Sequence, residues 1–573
     1  MRSRAEVVVV GAGWAGSIIT AELAAAGHHV TVLERGTWPA GAGPAGFVTD
    51  DDGRWPSRQL TEDARLETYT MRHRSGQTSL PIRRLNSFWA GSTVGGAGAM
   101  WSGFSPRFVP DSFRARSAHV EAFGPSILRP DVRLVDWPLT YADLEPDYTR
   151  FEQVAGVSGA SGADPFAGPR SAPYPVEVAP DSVDAGPWVA AARRHGLHPY
   201  PRPVAGAGVE TVNHYGLTRA VDPVRGRSLA TPLNSVLPYA LGTGRVDLVE
   251  GARVRRVLHD GRRATGVRYV DADGEHDLEA EVVVLAAWAL GNTRLLLMSD
   301  VGRPYDPETE QGTVGRNHAN HVGAVSTAWF DRSRHDSSAW RTGAWSMSDL
   351  AALPEAGRPD YVGGAHLVAG SVGPSDLSTD PRIPVGSPRW GAGLRTAIDR
   401  YEDAGVQVGL LGEVVPHRRR HLDLDPTFRD PWGDPLLRIT FDWDENERSM
   451  VRSVARRVSA VLRDTGADLV DEGGVLPDHY DVGPYQNSHA TGGAVMGTDP
   501  ATSVVDPDLR SWDIDRLWVV GASAFPTAAS PNPTPTVGAL SFRASRSIRR
   551  HLEDTEATDP PSDTPHRRTP RRP

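Results

Sequence analysis

Neither cysteine nor lysine occurs in this chain of 573 residues. Without cysteine there are no disulfides, thiolate nucleophiles, iron–sulfur clusters or thiolate metal sites. Without lysine there is no Schiff-base chemistry, and all 61 basic residues are arginine, which fits a GC-rich coding bias. No apolar run approaches the roughly 20 residues that a membrane-spanning helix needs. No signal-peptide pattern precedes the first expected strand, so a cytoplasmic location without a membrane partner is the default expectation. A formal net charge of −10 argues against nucleic acid as a partner and favours solubility. What remains, 39% hydrophobic and 23% charged residues, is the composition of an ordinary globular protein. At this length two domains sharing one ligand crevice are the default expectation.

The most informative stretch is the first. Residues 6–35 read EVVVVGAGWAGSIITAELAAAGHHVTVLER. Four successive valines without polar alternation predict a strand buried on both faces. Gly11, Gly13 and Gly16 follow in GxGxxG spacing and open a helix expected to run to about Ala26, where Gly27 stops it. A second apolar strand over 30–33 ends in Glu34. The first glycine permits the tight turn, the second lets backbone approach a pyrophosphate, and the third lets helix pack on strand. Phosphates then sit over the helix N-terminus, where unpaired N–H groups and the macrodipole favour negative charge. Glu34 lies near the roughly 20-residue offset of the acid that holds a ribose hydroxyl. The context turns a common motif into a dinucleotide site.

Further along, 36–46 is rich in glycine and proline, and no periodicity is clear up to about 81. A second glycine cluster, GSTVGGAGAMWSG over 91–103, leads to Ser105, Pro106 and Arg107 and suits close backbone approach to a flat ligand. Residues 136–157 predict a capped amphipathic helix, with Thr140 as N-cap and Asp143 three positions on. Residues 158–225 read as loop-rich, and 246–269 as strands around a turn at Asp260 and Gly261. Val282 to Ala286 predicts another buried strand, then a turn over 289–293 and a helix over 294–298. Residues 326–410 read as irregular, with Trp329, Trp340, Trp345 and Trp390 scattered through them; such a segment is commonly a lid or binding loop. Paired strands over 422–441 and helices over 446–465 and 536–550 complete the ordered chain, and a polar, proline-rich tail over 553–573 is expected to be disordered.

The C-terminal blocks carry a resemblance. HATGGAVMG (489–497), DPATSVVD (499–506), LWVVGAS (517–523) and NPTPT (532–536) resemble the closing signature of glucose–methanol–choline (GMC) oxidoreductases. The likeness extends to GAGWAG, to 91–107, to 282–297 and to GRNHANH (315–321). MWSGFSPRF (100–108) and LLRITFDW (436–443) are similar to the branch holding pyranose oxidases, bacterial glycoside 3-oxidases and the flavin subunits of gluconate and fructose dehydrogenases.

The resemblance implies a mixed α/β fold. A Rossmann-like FAD domain over 1–110, 215–325 and 485–552 would interleave with a substrate domain over 111–214 and 326–484, built on an antiparallel sheet. It also implies FAD chemistry that takes a hydride from a secondary alcohol carbon (C2 or C3) of a pyranose or glycoside. His489 then corresponds to the base and Asn532 to the group positioning the alcohol. A neutral imidazole suits the removal of a hydroxyl proton, and an amide can hold the oxygen without taking the proton. Gly11, Gly13, Gly16 and Glu34 fall to the ADP half and Val254 to the adenine. Gly95, Gly96, Trp101 and Ser102 fall to the flavin ring, and Ser523 and Thr534 to the region between pyrophosphate and ring. Met100 stands where several relatives have a histidine covalently linked to FAD; a thioether cannot form that link, so non-covalent FAD is expected. Trp340, Trp345 and Trp390 are candidate sugar platforms. Oxygen or a quinone- or dye-type acceptor would take the electrons. Two alternatives stay open: an aminocyclitol or glycosylated natural product as substrate, and a flavin subunit passing electrons to a cytochrome.

Overall fold

The computed structural model describes residues 4–38, 63–83, 91–178, 186–206, 210–219, 229–353, 360–373, 382–483 and 488–558. The valine run forms the strand Arg4–Val10, fully buried from Val7 onward. A strand with no polar face has to sit inside a sheet covered on both sides. It runs parallel to Val30–Leu33 on one side and to Gly274–Leu285 on the other. Val246–Val249 extends the sheet beyond Val30–Leu33. Beyond Gly274–Leu285 lie the antiparallel strands Ala264–Asp271 and Arg253–His259, and Leu517–Val519 pairs parallel with the same long strand to make seven. The helices Trp14–Ala25, Thr534–Thr558 and Tyr141–Ala155 pack on one another. The last begins with the expected capping box, in which Thr140 N–H donates to Asp143. This is the mixed α/β, dinucleotide-binding type of fold.

A second sheet is antiparallel throughout. Its order is Leu469–Asp471, His321–Trp329, Gly405–Glu413, Ala365–Ser371, Trp345–Leu350 and Tyr200–Pro201. Helix Glu445–Arg463 packs across it through Met450, Val451, Val454, Val458, Val461 and Leu462. A smaller sheet joins His421–Arg429, Pro435–Thr440, Thr70–Arg72 and Leu80–Pro81.

Three local expectations differ from the structure. The stretch 326–410, read as irregular, contains the strands Trp345–Leu350 and Ala365–Ser371, parts of His321–Trp329 and Gly405–Glu413, and the helix Gly391–Tyr401. Its strands escape notice because Gly, Ser and Ala interrupt the apolar alternation, as in AHLVAGS. The helix expected from 294 begins at Trp288, because the buried amide of Asn292 accepts from Ala287 N–H and turns what reads as a loop residue into an internal cap. The closing helix continues to Thr558, into the expected tail. Residues 39–46 of the first glycine-rich stretch, 354–359 and 374–381 of the expected lid, and 559–573 of the tail lie outside the described residues.

Candidate active site

A cavity of about 490 Å³ opens where the strands Arg4–Val10 and Val30–Leu33 end. Gly11 makes the turn there at φ +100°, and a Cβ on it would come within 2.7 Å of the Ala286 carbonyl oxygen. A Cβ on Gly16 would lie 1.8 Å from the Gly11 carbonyl oxygen, so the third glycine is required by packing and does not itself line the cavity. Gly13 caps helix Trp14–Ala25 without a side-chain hydrogen bond, which leaves the first turn's N–H groups available to an anion. Glu34, buried at the end of the second strand, accepts from Ala12 N–H and Gly36 N–H, each at 2.8 Å. Burial raises its pKa while the two backbone donors pull the other way. Val254 lines the same cavity.

Sequence reasoning missed the charges around this wall. Glu67 pairs with Arg35 at 2.5 Å and with Arg253. Burial opposes its ionisation, but Arg35 and Arg253 hold its carboxyl well below the usual range. Trp288, another cavity residue, adopts φ +67°, a region that L-residues rarely occupy, and meets Tyr69 edge-on at 6.4 Å. No sequence signal marks either feature.

The second glycine cluster closes another wall. Gly96, Met100, Trp101 and Ser102 all line the cavity. Trp101 is fixed by its indole N–H, which donates to the Ala230 carbonyl at 2.5 Å, and by edge contact with Trp14 at 5.4 Å. Arg107, just beyond, fastens the segment to helix Tyr141–Ala155 through a two-pronged bond to Glu152 at 2.9 and 2.8 Å and a third bond to Glu145 at 3.0 Å. These partners keep the buried guanidinium charged. Gly95 and Ser523 do not line the cavity. Gly95 turns at φ +93° against Leu233, and the buried Ser523 hydroxyl accepts from Asn292 Nδ2 at 2.9 Å. The three candidate sugar platforms are elsewhere too. Trp340 and Trp345 belong to the hydrophobic core, and Trp390 is 84% exposed on the surface.

His489, Asn532 and Thr534 line this same cavity. Asn532 Nδ2 lies 3.1 Å from His489 Nε2. Behind them stands His321, the first residue of strand His321–Trp329. Its Nδ1 is 2.7 Å from His489 Nδ1, and its Nε2 is 2.7 Å from the Ala529 carbonyl. A carbonyl only accepts, so His321 Nε2 carries the proton and Nδ1 is the acceptor. His489 must therefore donate from Nδ1, which leaves the lone pair on Nε2, facing the Asn532 amide. The chain of bonds assigns the tautomer. Ala529 holds φ +52°, and its N–H donates to Glu413 Oε1 at 3.2 Å. Glu413 pairs across the sheet with His321, and burial pushes its carboxyl up to about 7. Burial also lowers His321 to about 4, and burial together with His321 holds His489 well below the ordinary imidazole range. Both rings are neutral at neutral pH. The Oδ1 of Asn532 is buried without a hydrogen-bond partner.

Such a fold, with a glycine-lined nucleotide cradle beside a neutral imidazole and an amide, defines an oxidoreductase of the dinucleotide-binding class. The chain belongs to the GMC oxidoreductase family: the family's N-terminal model matches residues 5–323 and its C-terminal model residues 416–541. It is 32% identical to the gluconate 2-dehydrogenase flavoprotein of Pantoea cypripedii, over 95% of this chain and 94% of that protein. It is 27% identical to the 2-methyl-1,2-propanediol dehydrogenase of Mycolicibacterium austroafricanum, covering 96% of each, and 27% identical to the paromamine 6'-oxidase of Streptomyces fradiae, covering 96% and 92%. Among solved structures, pyridoxine 4-oxidase from Mesorbium loti superposes with a TM-score of 0.59 at 19% identity, over 96% of this chain and all of that one, a likeness of fold. The family typically binds FAD. The residues present fit that group: a glycine turn that a Cβ would block, an uncapped helix N-terminus, a buried acid after the second strand, and an orphaned amide oxygen beside a neutral imidazole in the same cavity.

Proposed function

We propose that this enzyme oxidises a secondary hydroxyl of a pyranose or glycoside, at C2 or C3, to the ketone, with FAD bound non-covalently. The carrying observation is the 3.1 Å approach of Asn532 Nδ2 to His489 Nε2 on the wall of the cavity that Gly11 and Glu34 also line. FAD bound there supplies the acceptor for the hydride of the alcohol carbon. The chain's own groups do the rest. An alcohol oxygen between the two side chains donates its proton to the His489 Nε2 lone pair and accepts from the Asn532 amide, which orients it. His489 passes its charge toward His321 through the Nδ1–Nδ1 bond. Met100 and Trp101, with Gly96, Ala97 and Gly98, wall that side of the cavity against water. In this reading the discontinuous segments 1–110, 215–325 and 485–552 hold the cofactor, while 111–214 and 326–484 hold the substrate. Electrons pass on to oxygen or a quinone-type acceptor.

The substrate class is supported by the polyhydroxylated compounds in the names of the gluconate and paromamine enzymes. The second of these favours an alternative substrate, a glycosylated aminocyclitol. Anaerobic mixing of the holoenzyme with glucose, aryl O-glycosides, aryl C-glycosides and paromamine separates the two, with NMR of the products. Flavin bleaching by a sugar or glycoside with a new C2 or C3 ketone is expected. Bleaching by paromamine alone supports the alternative, and bleaching by none overturns both.

The buried Met100 on the cavity wall predicts that acid precipitation leaves the yellow colour in the supernatant. A washed pellet that stays yellow contradicts non-covalent binding.

A further inference from the structure

Away from the cavity, three segments distant in sequence bring together His73, Asp442 and His479, and we propose that these side chains form a site for one zinc-type divalent cation. One ligand atom of each residue lies within 4.8 Å of the other two. The two imidazoles stack, with centroids 4.7 Å apart and planes 17° from parallel.

The support behind each ligand is already built. Asp442 Oδ1 accepts from Tyr480 N–H and Trp443 N–H, both at 2.9 Å, and this turns Oδ2 toward His479 Nδ1 at 2.6 Å. His73 Nε2–H donates to the Tyr480 carbonyl at 3.0 Å and leaves the Nδ1 lone pair for a metal. Histidine ligands characteristically give their second ring N–H to a backbone carbonyl or a carboxylate in this way. His479 is exposed and can take the tautomer that carries its proton on Nε2, offering Nδ1 beside Asp442 Oδ2. Tetrahedral zinc with bonds of about 2.0–2.1 Å places its ligands roughly 3.3 Å apart. To aim both lone pairs at one ion the two rings must turn out of their near-parallel stack, and the exposed His479 is the ring with room to do so.

The donor set selects the ion. Two imidazole nitrogens and one carboxylate oxygen suit Zn²⁺, Cu²⁺ or Ni²⁺, whereas Ca²⁺ and Mg²⁺ take all-oxygen shells. The three ligands tie the turn after Thr70–Arg72 to the end of Pro435–Thr440 and to the segment that leads to His489. Tyr480, between two ligands in this framework, packs edge-on against Phe441 and Trp443 at 4.8 and 5.0 Å. Its hydroxyl lies 3.5 Å from Asn320 Nδ2, one residue from His321. A cation here pins the segment that leads into the catalytic histidine, and because it binds the folded chain it stabilises it.

The site can be tested independently of the redox activity. Tag-free holoenzyme is titrated with Zn²⁺ by calorimetry, and Cu²⁺ bound at substoichiometric loading is examined by electron paramagnetic resonance. The expected results are one equivalent of Zn²⁺ per chain, a raised melting temperature, and Cu²⁺ coupling to two nitrogens. His73→Gln and His479→Gln should each weaken binding by at least about tenfold and leave coupling to one nitrogen; His479 is exposed, so its replacement does not disturb folding. Absence of saturable binding below millimolar Zn²⁺, or affinity unchanged in both variants, overturns the proposal.

Discussion

Replacing His489 with alanine is expected to leave FAD bound while slowing flavin reduction by the alcohol about 10²- to 10⁴-fold, the usual contribution of a positioned general base. The proposed cradle for the nucleotide is Gly11, Gly13 and Glu34 on the cavity wall, none of which depends on the imidazole. What is lost is the Nε2 lone pair opposite the Asn532 amide. The effect should therefore fall on the reduction step in anaerobic stopped-flow, with cofactor content and absorption spectrum retained. Equal reduction rates in variant and parent remove His489 from the role of base.

His321→Ala is expected to act through His489. In the parent, His321 Nδ1 accepts a hydrogen bond from His489 Nδ1–H and so keeps the lone pair on Nε2. Loss of the group that fixes an imidazole tautomer costs about 10⁴ in the serine-protease triad, which sets the upper bound. The pH profile separates this from a general loss of packing. Burial and the neighbouring His321 hold His489 well below its ordinary pKa, so the neutral base persists in acid and the parent rate stays flat through pH 6–7, about the ordinary imidazole pKa. With His321 gone and the space open to water, the pKa of His489 rises and the reduction rate falls as pH drops through that new value. His321→Gln should recover most of the activity, because its carbonyl can accept from His489 Nδ1–H while its amide donates to the Ala529 carbonyl. An unchanged pH profile in His321→Ala, or a glutamine variant no better than alanine, contradicts the positioning role.

Local signals in the chain carry much of this site. The valine run, the glycine spacing and Glu34 mark the cradle because their constraints act within some thirty residues. His489 and Asn532 stand out through their surrounding blocks, and both line the cavity. His321 lies in the GRNHANH block, yet nothing in that block reveals its task. Only the antiparallel pairing of His321–Trp329 with Gly405–Glu413, together with the left-handed turn at Ala529, brings it against a ring 168 positions away. The tryptophans mislead for the opposite reason. Aromatic residues serve cores as readily as ligands, and burial alone decides for Trp340 and Trp345. Strands such as AHLVAGS, interrupted by Gly, Ala and Ser, likewise blur the period-two pattern, and the short alternation of Val406, Val408 and Leu410 is too brief to mark the antiparallel sheet within 326–410.

The most direct test is the rate of anaerobic flavin reduction in the unmodified enzyme, measured from acid to neutral pH with a sugar bearing free secondary hydroxyls. A neutral, half-buried His489 predicts bleaching whose rate is level across the ordinary imidazole range. An enzyme that no alcohol reduces, or one whose rate collapses with a midpoint at the usual histidine pKa, contradicts it.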